Sequence, residues 1–95
     1  MIEEVLKAGG YHLIDVREEM ELEMDGAING AVNIPLGEIA ERKDEIMNLD
    51  GNIIFFCRSG NRSGKALEFF KNEGLTNIYN GGGYQDVAQA LENVL

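Results

Sequence analysis

At 95 residues, 44% of them hydrophobic and 26% charged, the chain has the composition of one globular domain with a single modest core, and a multidomain organisation is excluded. A formal charge of -9 sets the surface against nucleic acid, whose phosphates it repels, and no apolar run is long enough to span a bilayer. A single cysteine and a single histidine leave no disulfide, no Cys-x-x-Cys redox pair and no zinc cluster, so neither a metal nor another cofactor is expected.

The opening residues Met1 to Lys7 are acidic and amphipathic and lack the basic start and apolar stretch of a secretory signal, which places the protein in the cytoplasm. Ile2, Val5 and Leu6 fall on one face of a short helix that Gly9-Gly10 stops. Tyr11 to Val16 is short, apolar and β-branched, as expected of a buried strand. The acidic stretch Glu18 to Asp25 predicts a helical turn or two with Met20, Leu22 and Met24 as its apolar contacts. Ala31 to Ile34 reads as a second strand that Pro35 ends, and Leu36, Ile39, Ala40, Ile46 and Met47 then recur at helical spacing. After the turn at Asp50-Gly51, the most hydrophobic run of the chain, Asn52 to Phe56, predicts the central strand, with Cys57 at its carboxyl end.

Ser63, Ala66, Leu67 and Phe70 mark one face of a further helix, which Gly74 terminates. Asn77-Ile78-Tyr79 reads as a last short strand, and Val87, Leu91 and Val94 give an amphipathic helix after the three glycines at 81–83. Strands and helices thus alternate, which predicts an α/β fold with a parallel sheet, helices on both faces, and ligands gathered at the carboxyl ends of the strands.

Cys57 lies at such an end, just ahead of a helix. A helix amino terminus supplies unpaired N–H groups and the positive end of the macrodipole, both of which favour a thiolate. Arg58 and Arg62 add positive charge, and Gly60 allows backbone angles at which several N–H groups curl toward one point. The competing reading is a buried core cysteine, the commonest fate of a free thiol. Two arginines and a glycine directly after it argue for chemistry instead. The charge distribution agrees, since residues 1–50 carry thirteen acidic and four basic side chains while residues 51–95 carry four of each.

The loop Cys57-Arg58-Ser59-Gly60-Asn61-Arg62-Ser63 resembles the active-site pattern of the rhodanese family. Leu13-Ile14-Asp15-Val16-Arg17-Glu18, Gly30-Ala31-Val32-Asn33-Ile34-Pro35 and Asn80-Gly81-Gly82 are similar to three further stretches of that family, in the same order. The resemblance implies a rhodanese-like α/β fold over residues 1–95, with a central parallel sheet of four to five strands. It also implies Cys57 as a nucleophile that takes the outer sulfur of thiosulfate or a similar anionic donor and passes it, as a persulfide, to a thiol, cyanide or protein-thiol acceptor. Arg58 and Arg62 then attract the donor, the N–H groups from Arg58 through Ser59, Gly60, Asn61 and Arg62 to Ser63 hold the transferred sulfur, and Ser63 acts as a helix cap.

The chain departs from the family pattern at Gly26-Ala27-Ile28-Asn29, where a histidine and a proline are usual, and at Tyr84, where a tryptophan often stands. No strand is expected ahead of the opening helix at Ile2, where the family usually has one. Asp15 and Arg17 are expected to fix loops by hydrogen bonding, His12 to be a partly exposed strand residue, and Tyr84 to wall the pocket or pack. Phosphatases with a similar anion cradle place five residues between Cys and Arg, whereas here four separate Cys57 from Arg62. The alternative to turnover is a sulfur-delivery or sensing module whose acidic surface suits a basic protein partner.

Overall fold

In a computed structural model, which describes residues 2–95, helices and strands alternate along the chain. Helix α1 (Ile2–Ala8) leads into strand β1 (His12–Asp15), followed by α2 (Glu19–Asp25) and β2 (Val32–Asn33). A 3-10 turn at Leu36–Glu38 and α3 (Lys43–Met47) precede β3 (Ile53–Cys57), α4 (Asn61–Asn72), β4 (Ile78–Gly83) and α5 (Tyr84–Asn93). The four strands form one parallel sheet in the order β2-β1-β3-β4.

Strand β3 is interior to the sheet and buried at all five positions, so its side chains must feed two cores in alternation. Ile53, Phe55 and Cys57 pack on one face with Ile39, Ile46, Ala66 and Phe70, where the Phe55 and Phe70 rings stack at 5.4 Å. Ile54 and Phe56 pack on the other with Val5, Leu6, Val87 and Ala90. Helices α3 and α4 therefore cover one face, and α1 and α5 the other. Each Phe buried in this way stabilises the fold by roughly 1.5–3 kcal/mol.

Several elements differ from their sequence pattern. The second strand is limited to Val32–Asn33, where the Asn33 side chain donates to the carbonyls of Asp15 (2.9 Å) and Arg17 (2.8 Å). The helical spacing after Pro35 is divided between the 3-10 turn and α3. Met20 and Met24 are not the apolar contacts of α2: they are 69% and 78% exposed. In a helix, positions 20 and 24 share a face from which position 22 points away, and Leu22 alone of the three turns inward, half-buried.

The last strand runs on through Asn80, Gly81, Gly82 and Gly83, and does not stop at Tyr79. Its pairing skips Gly81, because Phe55 faces Asn80 while Phe56 faces Gly82. The glycines reflect close approach. A Cβ on Gly81 would sit 2.8 Å from Val87 and 2.9 Å from Ile54, so a side chain there would push α5 off β3.

Candidate active site

The carboxyl ends of β1, β3 and β4 bring Asp15, Cys57 and Gly83 to one end of the sheet, with Asp15 opposite Phe56 and Cys57 opposite Gly83. Beyond Cys57 the chain makes a short bend through Arg58 and Ser59 and enters α4 at Asn61. Gly60 is the hinge of that bend. At φ 100° it adopts a left-handed conformation that a side chain would resist, and a Cβ there would lie 3.3 Å from Gly82.

This bend turns backbone donors onto the sulfur. The Gly60 N–H donates to Cys57 Sγ at 3.0 Å and the Ser63 N–H at 3.5 Å, while Ser63 Oγ stands 3.5 Å away. Cys57 itself is fully buried, as a core cysteine would be, so burial does not separate the two readings of the residue. The converging N–H groups favour the charged form of the sulfur, because they pair with a thiolate far better than with a neutral thiol. Burial pushes the Cys57 thiol up, but the Ser63 hydroxyl and the N–H groups of Ser63, Ser59 and Gly60 outweigh it and bring the pKa down to about 7. Hydrogen bonds thus lead this lowering, as the helix-terminal N–H groups predict, and the charges of Arg58 and Arg62 are not among its main causes.

Ser63 does not cap α4. The helix starts three residues earlier than a capping Ser63 requires, with Gly60 at the cap position, and the Ser63 hydroxyl donates to Asn80 Oδ1 at 2.7 Å. Asn80 in turn accepts from the Gly82 N–H (2.9 Å) and donates through Nδ2 to the Gly60 carbonyl (3.1 Å). It ties β4 to the middle and the far end of the cysteine loop. Nothing in the loop motif points to Asn80; only the register of β4 places it there.

The two arginines part company. Arg58 is exposed and, among the described residues, makes no ion pair. Arg62 is clamped by Glu21 of α2, with Nη1 to Oε2 at 2.6 Å and Nη2 to Oε1 at 2.8 Å. The Arg62 guanidinium holds the Glu21 carboxyl well below the usual range, at about 2. Asn61 and Ser59 are both exposed at the rim.

Asp15 and Arg17 form the buried pair that fixes this end of the sheet. Arg17 Nε and Nη2 grip the Asp15 carboxylate at 3.0 and 2.7 Å, and Nη2 also donates to the Gly26 carbonyl at the end of α2. Arg17 lies 4.2 Å over the Tyr84 ring, so Tyr84 packs against a cation and holds it in place. His12 sits away from this end, with Nε2 2.6 Å from the Asp50 carbonyl. Among the described residues no cluster of three or more His, Cys, Asp or Glu side chains is placed to hold a metal ion, and no helix is long and apolar enough to cross a membrane.

A thiol with a pKa near 7 has a measurable signature. Alkylation of Cys57 is expected to rise with pH to a midpoint near 7, below the roughly 8.5 of a free cysteine, since the reactive thiolate is present above the pKa and lost below it. Ser63→Ala, which removes the hydroxyl, should move the midpoint upward. Burial slows the absolute rate without obscuring the midpoint. A profile at the free-cysteine value would contradict the cradle.

Residues 2–90 match the family described as rhodanese-like domain. The chain is 43% identical over 82 residues to the uncharacterized protein YqhL of Bacillus subtilis, a match covering 84% of this chain and 64% of that one. It is 35% identical over 78 residues to the thiosulfate sulfurtransferase PspE of Escherichia coli, covering 81% and 74% respectively. Among solved structures, a rhodanese with anions from E. coli superposes with a TM-score of 0.69 at 34% identity, over 82% of this chain and 92% of the other.

Proposed function

We propose that this chain, which belongs to the rhodanese family, is a cytoplasmic sulfurtransferase that carries sulfur as a persulfide on Cys57. In the first half-reaction the Cys57 thiolate attacks the outer sulfur of thiosulfate or a comparable sulfane donor; the new S–S bond forms as the old one breaks, and sulfite leaves with the bonding pair. In the second, a thiol, cyanide or protein thiol attacks the outer sulfur of the persulfide and restores the thiolate. The observation that carries this reading is the convergence of the Gly60 and Ser63 N–H groups on a cysteine whose pKa lies near 7. The same donors serve a persulfide anion one atom further out.

A cavity of about 560 Å³ between α1, β4 and α5 is lined by residues such as Tyr79, Asn80, Asp86 and Gln89, and by none from the Cys57 to Ser63 loop. The spacing of four residues between Cys57 and Arg62, with Arg62 already held by Glu21, argues against Arg62 wrapping a phosphate. Purified protein given thiosulfate and cyanide is expected to release thiocyanate and to leave an aryl phosphate intact. Phosphate release lost in Cys57→Ser, without thiocyanate formation, would replace the sulfurtransferase with a phosphatase.

A second reading is favoured by the formal charge of -9 and the full burial of Cys57: a delivery or sensing module that takes sulfur from, or gives it to, a basic protein partner without free turnover. Sulfur loading on Cys57 without thiocyanate formation would select it.

A further inference from the structure

A cation expected to draw an anionic donor is of little use to it when a carboxylate already holds that cation on both nitrogens. Arg62 is in this position. Glu21 takes Nη1 and Nη2 together, and its Oε2 is fixed from the other side by the Glu18 N–H at 2.8 Å. The pair bridges α2 and α4 across 41 residues of sequence, with the Glu21 side chain 23% exposed and that of Arg62 32% exposed. Arg58 is left as the unpaired cation of the loop.

A thiosulfate dianion meeting the Cys57 thiolate brings three negative charges into one small space. Against them stand Arg58 and an Arg62 whose charge Glu21 cancels. The persulfide group of an organic donor, R–S–SH, brings no more than one further negative charge to the sulfur. Its transfer balances simply: the Cys57 thiolate bonds to the outer sulfur, the R–S bond to that sulfur breaks, and R–S⁻ leaves with the electron pair while the proton stays on the transferred sulfur.

We infer that Glu21 is a specificity-determining residue which, by neutralising Arg62, makes the Cys57 site select organic persulfides over doubly charged inorganic donors. Glu21 touches neither donor nor sulfur and acts through Arg62 alone. The choice of donor rests on Cys57 being the sulfur carrier, whereas the charge at the mouth does not, and the two are separable by experiment.

Cys57 alkylation by iodoacetate, an anion, and by iodoacetamide, its neutral counterpart, gives a rate ratio from which thiolate fraction and loop opening cancel. Glu21→Gln keeps an acceptor for the Glu18 N–H but leaves Arg62 with its charge, and should raise the ratio on the order of three- to tenfold at low ionic strength. Arg62→Gln should lower it by a similar factor. The double variant, whose pair is again neutral, should return to within about twofold of the parent, and added salt should compress all the differences. Sulfur loading should follow, with the rate from thiosulfate relative to cysteine persulfide rising in Glu21→Gln. A ratio unmoved by Glu21→Gln, or moved in the same direction by both single variants, overturns the inference. Ordered ratios with no loading from either donor overturn the choice of donor together with the sulfur-transfer reading, while loading with flat ratios overturns the charge gate alone.

Discussion

Cys57→Ser is expected to lower thiocyanate formation by more than about a thousandfold while leaving the fold intact. Cys57 ends β3, is fully buried, and packs in the core face shared with Phe55 and Ala66, so a side chain of nearly the same shape disturbs little. The Gly60 N–H, 3.0 Å from the sulfur, would find the serine oxygen as its acceptor. What is lost is the nucleophile. A serine hydroxyl has no general base here, since the nearest side chain, Ser63, is itself a neutral hydroxyl committed to Asn80. Product formation and circular dichroism, measured together, check the expectation. Turnover in a folded Cys57→Ser protein would move the chemistry to another residue.

Arg17→Met should destabilise the protein by about 3–5 kcal/mol, enough to lower Tm by roughly 15 °C or more in a domain of this size. Arg17 and Asp15 are both fully buried, and removing the guanidinium leaves the Asp15 carboxylate without the Nε and Nη2 donors that satisfy it. The substitution also frees the Gly26 carbonyl and removes the cation above Tyr84. Because Gly26 closes α2 and α2 carries Glu21, the Glu21–Arg62 clamp should loosen as well. Among the described residues Arg17 Nη1 has no hydrogen-bond partner. Replacing both partners by apolar residues, Asp15→Leu with Arg17→Met, should cost less than Arg17→Met alone. Thermal unfolding of the three proteins decides; a single substitution as mild as a surface change would mean that the pair does not organise the sheet end.

The parts of the fold that are legible in the sequence are those where one residue pattern has one physical solution. Ile53 to Phe56 has no polar face, so it belongs inside a sheet covered on both sides, and Cys57 follows it to the carboxyl end. The parallel order of strands follows from alternation with helices. The end of the last strand is less legible, because the pattern of Asn77-Ile78-Tyr79 stops short of Gly81 to Gly83. Those glycines are strand, and a Cβ on Gly83 would meet the Arg58 carbonyl at 2.6 Å, so the absence of side chains lets β4 pass beneath the cysteine loop.

The site itself was legible as a loop and not as a set of partners. Cys57, Gly60 and the run to Ser63 are contiguous, and their spacing already fixes a ring of N–H groups. Glu21 on Arg62 and Asn80 on Ser63 lie 41 and 17 residues from the groups they bind; Glu21 belongs to an acidic helix whose exposed charge needs no partner, and Asn80 to a stretch whose resemblance names no contact. Long-range pairs of this kind depend on the strand order and on the one-residue bulge at Gly81, which no local periodicity encodes.

Seen from the cysteine, the neighbouring elements have distinct parts. Strand β3 fixes where the sulfur stands, Gly60 and α4 supply its donors, Asn80 holds the loop from β4, and the Asp15–Arg17 pair holds α2 so that Glu21 reaches Arg62. Each is a rigid element acting on a three-residue bend, which is how a fully buried thiol acquires a pKa near 7.

Intact-mass measurement after incubation with a sulfane donor and removal of the excess tests the sulfur carrier most directly. With thiosulfate or cysteine persulfide, the protein is expected to gain the mass of one sulfur atom, located at Cys57 by peptide mapping and released by cyanide, with no gain in Cys57→Ser. A folded protein that gains nothing from either donor while its Cys57 thiol remains alkylatable would contradict the account.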